Sequence, residues 1–184
     1  MLKSVCSVLL RLLGWKPVNG VMPHKKAIII GVPHTSAWDF VISYLYYTSQ
    51  GGVANIVIKK EFFFWPLGYF LKKMGALPID RSKGVSVVKQ IIEEMNKRET
   101  MHLAITPEGT RELNKKWKAG FHTIAKATGA VVYLGFFDFG KKEIGWIDTL
   151  ELTDDPQEDI RRMKAYYRAK GISGRHPDQF TAED

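Results

Sequence analysis

The chain has 184 residues, 45% hydrophobic and 25% charged, which suits one globular domain with a substantial core and excludes wholesale disorder. Lysine and arginine outnumber aspartate and glutamate 27 to 19, a formal net charge of +8 concentrated before Glu151, and such a surface favours anionic partners such as phosphates or acidic lipid headgroups. The lone Cys6 excludes an internal disulfide and a cysteine-built metal site, and fits a reducing, intracellular setting.

Met1 to Trp15 is short and apolar, interrupted by Lys3 and Arg11. Leu2, Val5, Leu9, Leu12 and Leu13 follow helical spacing, so residues 1–16 are expected to form an amphipathic helix. It is too short to span a bilayer, which takes about 20 apolar residues, and Arg11 spoils the core of a signal peptide. It either packs on the domain or lies on a membrane surface, with Trp15 and Lys16 placed where headgroup anchors belong.

Lys25 to Val32 reads as a continuous apolar strand of the kind buried on both faces of a parallel sheet. It feeds the turn Pro33-His34-Thr35-Ser36-Ala37-Trp38-Asp39. Thr35 and Ser36 are suited to cap a helix there, which puts Asp39 in its first turn beneath His34. A carboxylate in that place fixes the imidazole tautomer and leaves the other ring nitrogen free to take a proton. An apolar helix over Phe40 to Thr48, ending at Gly51-Gly52, and a strand over Val53 to Ile58 complete a crossover unit.

Phe62 to Leu71 holds six aromatics and two leucines in ten residues. Some must be core, but the density predicts a partly exposed greasy surface, bracketed by Lys59, Lys60, Lys72 and Lys73 as for contact with an anionic membrane. Ala76 to Ile79 is a short strand ending in Asp80-Arg81-Ser82, with Ser82 a cap for a helix from Val85 to Arg98. Met101 to Ile105 is a strand leading into Thr106-Pro107-Glu108-Gly109-Thr110-Arg111. Lys115 to Thr128 has helical spacing, Ala130 to Phe137 is a strand, and Glu143 to Leu150 is a final edge strand. From residue 153 the composition turns acidic and polar, and Asp155-Pro156 opens a last helix that ends near Gly171.

The expected fold is therefore a single α/β domain over 1–184, a mostly parallel sheet flanked by helices, with residues 153–184 forming a terminal helix and tail. Four stretches place chemistry at strand ends, where open sheets bind ligands. His34 and Asp39 supply a general base and its orienting acid. Lys60, Arg81, and the Gly109-Thr110-Arg111 turn supply cations, backbone N–H donors and a hydroxyl for a phosphate. Glu108 can meet an acceptor hydroxyl or hold the loop. A base beside a phosphate-sized cationic pocket and a greasy approach surface suggests acylation of a lipid phosphate's hydroxyl.

The combination resembles the glycerolipid acyltransferase family, best known for lysophosphatidic acid acyltransferases. Its first motif, a His and an Asp with four residues between, is met by His34 and Asp39. Its second, a glycine and an apolar segment ending in Arg, is met by Gly75 to Arg81, and its third, Phe-Pro-Glu-Gly-Thr-Arg-Ser, by Thr106 to Glu112. Pro33 stands where the family has Asn, and the fourth motif's prolines are missing from Val131 to Phe136. The resemblance implies direct acyl transfer from acyl-CoA or acyl-carrier protein to a lysophospholipid, with His34 as base, Asp39 stabilising the imidazolium, and no metal or bound cofactor. It also implies peripheral attachment to the inner face of the membrane from the cytoplasm. The alternatives are a different acceptor lipid, or a non-catalytic lipid-binding protein using the same greasy surface. No Gly-x-Ser-x-Gly elbow is present, His24, His102, His122 and His176 lack metal-ligand spacing, and nucleic-acid binding rests on charge alone.

Overall fold

The computed structural model describes residues 1–82 and 86–183. Their strands are β1 (Lys16–Val18), β2 (Lys26–Val32), β3 (Ala54–Lys59), β4 (Ala76–Ile79), β5 (Met101–Ile105), β6 (Val131–Asp138) and β7 (Glu143–Leu150). The helices are α1 (Leu2–Leu12), α2 (Trp38–Ser49), α3 (Leu67–Lys73), α4 (Val87–Lys97), α5 (Gly120–Thr128) and α6 (Pro156–Lys170). All seven strands join one sheet in the order β1-β7-β6-β2-β5-β3-β4. The five from β6 to β4 are mutually parallel, while β7 runs antiparallel to β6 and β1 parallel to β7.

The two faces of β2 explain its unbroken apolar run. Ile28, Ile30 and Val32 point into a core shared with Ile91 and Met95 of α4, Phe121 and Ile124 of α5, and Met163 and Tyr167 of α6. Ala27 and Ile29 point the other way, into a second core with Leu45 and Tyr46 of α2 and with Cys6 and Leu10 of α1. Helices on both faces leave a central strand no solvated side, so alternation disappears. The expected α/β sandwich is the observed one.

Helix α1 packs on the domain through one face and leaves another exposed. Cys6 and Leu10 are buried against the domain, whereas the stripe Leu2, Val5, Leu9 and Leu12 faces outward. No described helix is long and apolar enough to cross a membrane.

Four expectations need correcting. β7 is not an edge strand, because β1 pairs outside it through Lys16↔Glu143 to Val18↔Gly145; three residues containing a proline carry no strand signature. The helix expected over 115–128 is confined to Gly120–Thr128, and 106–119 is a loop tied back through Lys118 N to Pro107 O at 2.8 Å. Ser86, not Ser82, caps α4, its hydroxyl accepting from Lys89 N, and the expected start at Val85 lies outside the described residues. Thr35 and Ser36 do not cap α2 through their side chains in the expected way. The N-cap is Ala37, and Asp39 from the first turn reaches back to take the loop's N–H groups.

The β1–β7 pairing depends on a bare backbone at Gly145, where a Cβ would stand 1.9 Å from Val18 O. Gly145→Ala must therefore push the strands apart, and the variant is expected to lose about 3 kcal/mol of unfolding free energy, read from urea midpoints.

Candidate active site

The sheet order brings the four reactive stretches together. β2, β5, β3 and β4 are consecutive parallel neighbours, so the turns after them line one edge of the sheet. In that order they carry His34, Glu108, Lys60 and Arg81. This convergence is a property of strand order, which no residue spacing encodes.

His34 is partly exposed and Asp39 fully buried, with His34 Nδ1 3.0 Å from Asp39 Oδ2. A carboxylate only accepts, so Nδ1 carries the hydrogen and Nε2 has its lone pair outward. Nε2 makes no hydrogen bond to the described residues. Asp39 Oδ2 also accepts from the backbone N–H groups of Thr35 and Ser36, each at 2.9 Å. The carboxylate at the helix N-terminus thus organises the loop that carries the imidazole.

A cavity of about 720 Å³ opens beside this pair, within the range of small-molecule sites, ~300–1,000 Å³. His34, Asp39, Arg81, Gly109 and Lys118 supply polar groups, while Ile29, Ile56, Ile91, Phe121, Phe136 and Phe137 are among its apolar walls. Lys118 is the site residue that sequence reasoning passed over. It lies nine residues beyond Gly109, in a stretch read as helix. Its side chain packs over Gly109, where a Cβ would stand 2.8 Å from Nζ, and Gly109 holds φ +69°. Only a glycine allows both that backbone and that approach.

The other expected residues divide. Arg81 is exposed and borders the cavity, but Lys60, Glu108, Thr110 and Arg111 do not line it. Lys60 Nζ pairs with Asp80 Oδ2 at 2.5 Å on the surface. That hydrogen bond raises the Lys60 ammonium and holds the Asp80 carboxyl well below the usual carboxylate range. Thr110 Oγ1 accepts from Glu112 N at 3.2 Å and so shapes its own turn. Glu108 is buried, and its Oε1 accepts from His34 N at 2.9 Å. Of its two possible roles, this contact is that of a brace, joining the turn after β5 to the turn after β2.

Burial pushes the Glu108 carboxyl up to about 7, against the hydrogen bond and charge of His34, which pull it down. A folded-state value above the ordinary 4.5 means that the neutral acid is the form favoured by folding. The contribution is full below about 4.5 and fades as pH rises through about 7. Glu108→Gln keeps an acceptor oxygen for His34 N–H. It is expected to match the parent's stability near pH 4.5 and exceed it at pH 8 by about 3 kcal/mol, from urea midpoints across that range.

Fold and site together define an α/β enzyme whose His34–Asp39 pair lines an apolar cavity. Residues 18–133 match the family model described as Acyltransferase, and the chain belongs to that family. The fold is also that of a solved structure, the 1-acyl-sn-glycerophosphate (LPA) acyltransferase PlsC from Thermotoga maritima. The two share 13% identity at a TM-score of 0.65, over 92% of this chain and 78% of that one. No curated protein matches the sequence.

Proposed function

We propose that this acyltransferase moves a fatty acyl group from a thioester, acyl-CoA or acyl-carrier protein, to the hydroxyl of a lysophospholipid such as lysophosphatidic acid. The observation that carries the reading is His34, held by Asp39 at 3.0 Å and set at the mouth of the apolar cavity. His34 Nε2 takes the proton of the acceptor hydroxyl as its oxygen attacks the thioester carbonyl, and the thiolate leaves as the tetrahedral adduct collapses. Asp39 stabilises the imidazolium, which returns its proton to the thiolate. The apolar walls suit an acyl chain, and Arg81 and Lys118 suit the acceptor phosphate. Glu108 braces the His34 loop.

The protein works at a membrane surface in this reading, peripherally on the cytoplasmic side. Support comes from Phe62, Phe64, Trp65, Tyr69 and Phe70, all more than half exposed, with Lys59, Lys60, Lys72 and Lys73 around them. The outward stripe of α1 offers a second apolar strip.

Release of free thiol from an acyl thioester, measured across a panel of lysolipids, tests the reading and names the acceptor. Thiol release that requires a lysophospholipid is the expected result. Vesicle binding unaltered by His34→Ala, with no thioester consumed by either protein, would instead establish a non-catalytic lipid binder.

A further inference from the structure

The chain's last segment lies beyond the family match and takes no part in the mechanism above. It nevertheless crosses the catalytic loop. Ser173 O accepts from Phe139 N at 2.8 Å, seating the segment at the end of β6. Gly174 then passes so close to Thr35 that a Cβ there would stand 2.8 Å from Thr35 Oγ1. Arg175 stacks over the Trp38 ring at 5.3 Å, beside Asp39 at the start of α2. His176 N donates to Thr35 Oγ1 at 3.2 Å. The Gln179 amide, oriented by the two carbonyls it faces, donates to Thr35 O at 3.2 Å and Arg111 O at 2.9 Å.

The far end is fixed as well. Phe180 packs against Trp117 with ring centroids 6.4 Å apart. Arg168 and Lys164 of α6 donate to Ala182 O and Glu183 O, each at 2.7 Å. A tail held only for stability would need the Phe180 end. It would not need a single amide bridging the turn after β2 to the turn after β5, with a second hydrogen bond and a cation–π contact on the same loop.

We infer that residues 173–180 form a strap that positions the catalytic loop, and that Gln179 is a positioning residue for the acyl transfer. The inference rests on the proposed role of His34 and adds a cause for its placement. Asp39 can hold His34 only while Thr35 N and Ser36 N stay folded over its carboxylate. Gln179 and His176 hold Thr35 from the other side, and Glu108 holds His34 N. The strap therefore acts on the attack geometry, not on the affinity for substrate.

The test compares Gln179→Ala, Gln179→Glu, Thr35→Val and Thr35→Ser in the full-length chain. Gln179→Ala is expected to lower kcat about tenfold with KM for the thioester unchanged and Tm within a few degrees. Gln179→Glu should fall further, because a carboxylate would face two carbonyl oxygens. Thr35→Val should behave like Gln179→Ala, and Thr35→Ser, which restores the acceptor for His176 N, should recover the activity. A kcat unchanged by Gln179→Ala, while His34→Ala abolishes turnover, overturns the strap and leaves the proposed function standing. Amide hydrogen exchange reads the strap without any turnover. Exchange at Thr35 and Ser36 should quicken at least tenfold in Gln179→Ala, and unchanged exchange there contradicts the inference whatever the enzyme does.

Discussion

Asp39→Asn is expected to lower acyl transfer by a factor of about 10² to 10⁴ while leaving the fold intact. The range follows from what a positioned base and its orienting carboxylate contribute in general acid–base catalysis. Asp39 Oδ2 takes three donors at once, from His34 Nδ1, Thr35 N and Ser36 N. An asparagine oxygen keeps some of these bonds and the volume, so the loop stays folded. It cannot keep the charge, and it cannot stabilise an imidazolium as a carboxylate does. Its NH₂ group, if turned towards His34, favours the tautomer with the lone pair on Nδ1, which turns an N–H toward the acceptor and removes the base. The loss should fall on kcat, because Asp39 acts through the imidazole that takes the proton. A loss confined to KM would mean that Asp39 serves substrate binding instead.

The second large effect is expected from Phe64→Ser combined with Trp65→Ser. Trp65 is 87% exposed and Phe64 is 59% exposed, so the double variant should fold normally. Each aromatic carries roughly 1.5–3 kcal/mol of transfer free energy when fully buried, and an interface captures part of it. Partition onto anionic phospholipid vesicles should fall about 100-fold, measured by sedimentation. Neighbouring lysines contribute about 1 kcal/mol each near an anionic surface, so binding by the parent should also weaken with salt. Transfer to an acceptor presented as monomers should change little. Equal vesicle binding by parent and variant would remove this surface from the account.

The sequence was most legible where its signals are local. The apolar run of β2 and the crossover through α2 to β3 follow from composition and length alone. Asp155 caps α6 as expected, with its side chain accepting from Gln157 N, and Gly171 ends it at φ +60°. The aromatic density of 62–71 announced exposure because six rings in ten residues are more than one short stretch can turn into a core. The His34–Asp39 pair was also legible, since five positions across a strand-to-helix turn bring the two groups together in any such fold.

What the sequence hid depends on distant partners. β1 exists because β7 offers Val18 an unpaired neighbour, and Gly145 offers it room. Residues 115–119 fall within a stretch of helical spacing, yet the segment 106–119 is spent on the turns around Glu108, including Asn114 Nδ2 to Glu108 O at 2.7 Å. Glu108 leaves two roles open in sequence, acceptor ligand or loop holder, because the partner it meets in space is a backbone N–H 74 residues away. Lys60 reads as a phosphate ligand and instead pairs with Asp80, a contact between β3 and β4 ends that only the sheet order creates. The strap is the extreme case, since Gln179 meets residues 144 and 68 positions earlier through backbone carbonyls that any residue type would present.

The most direct test of the account is the formation of diacyl phospholipid by purified protein, followed by mass spectrometry with an acyl thioester and lysophosphatidic acid on mixed vesicles. The parent chain is expected to form product and His34→Ala at least about 10²-fold less, with stability and vesicle binding unchanged. Product formed at the parent's rate by a folded His34→Ala protein would contradict this expectation.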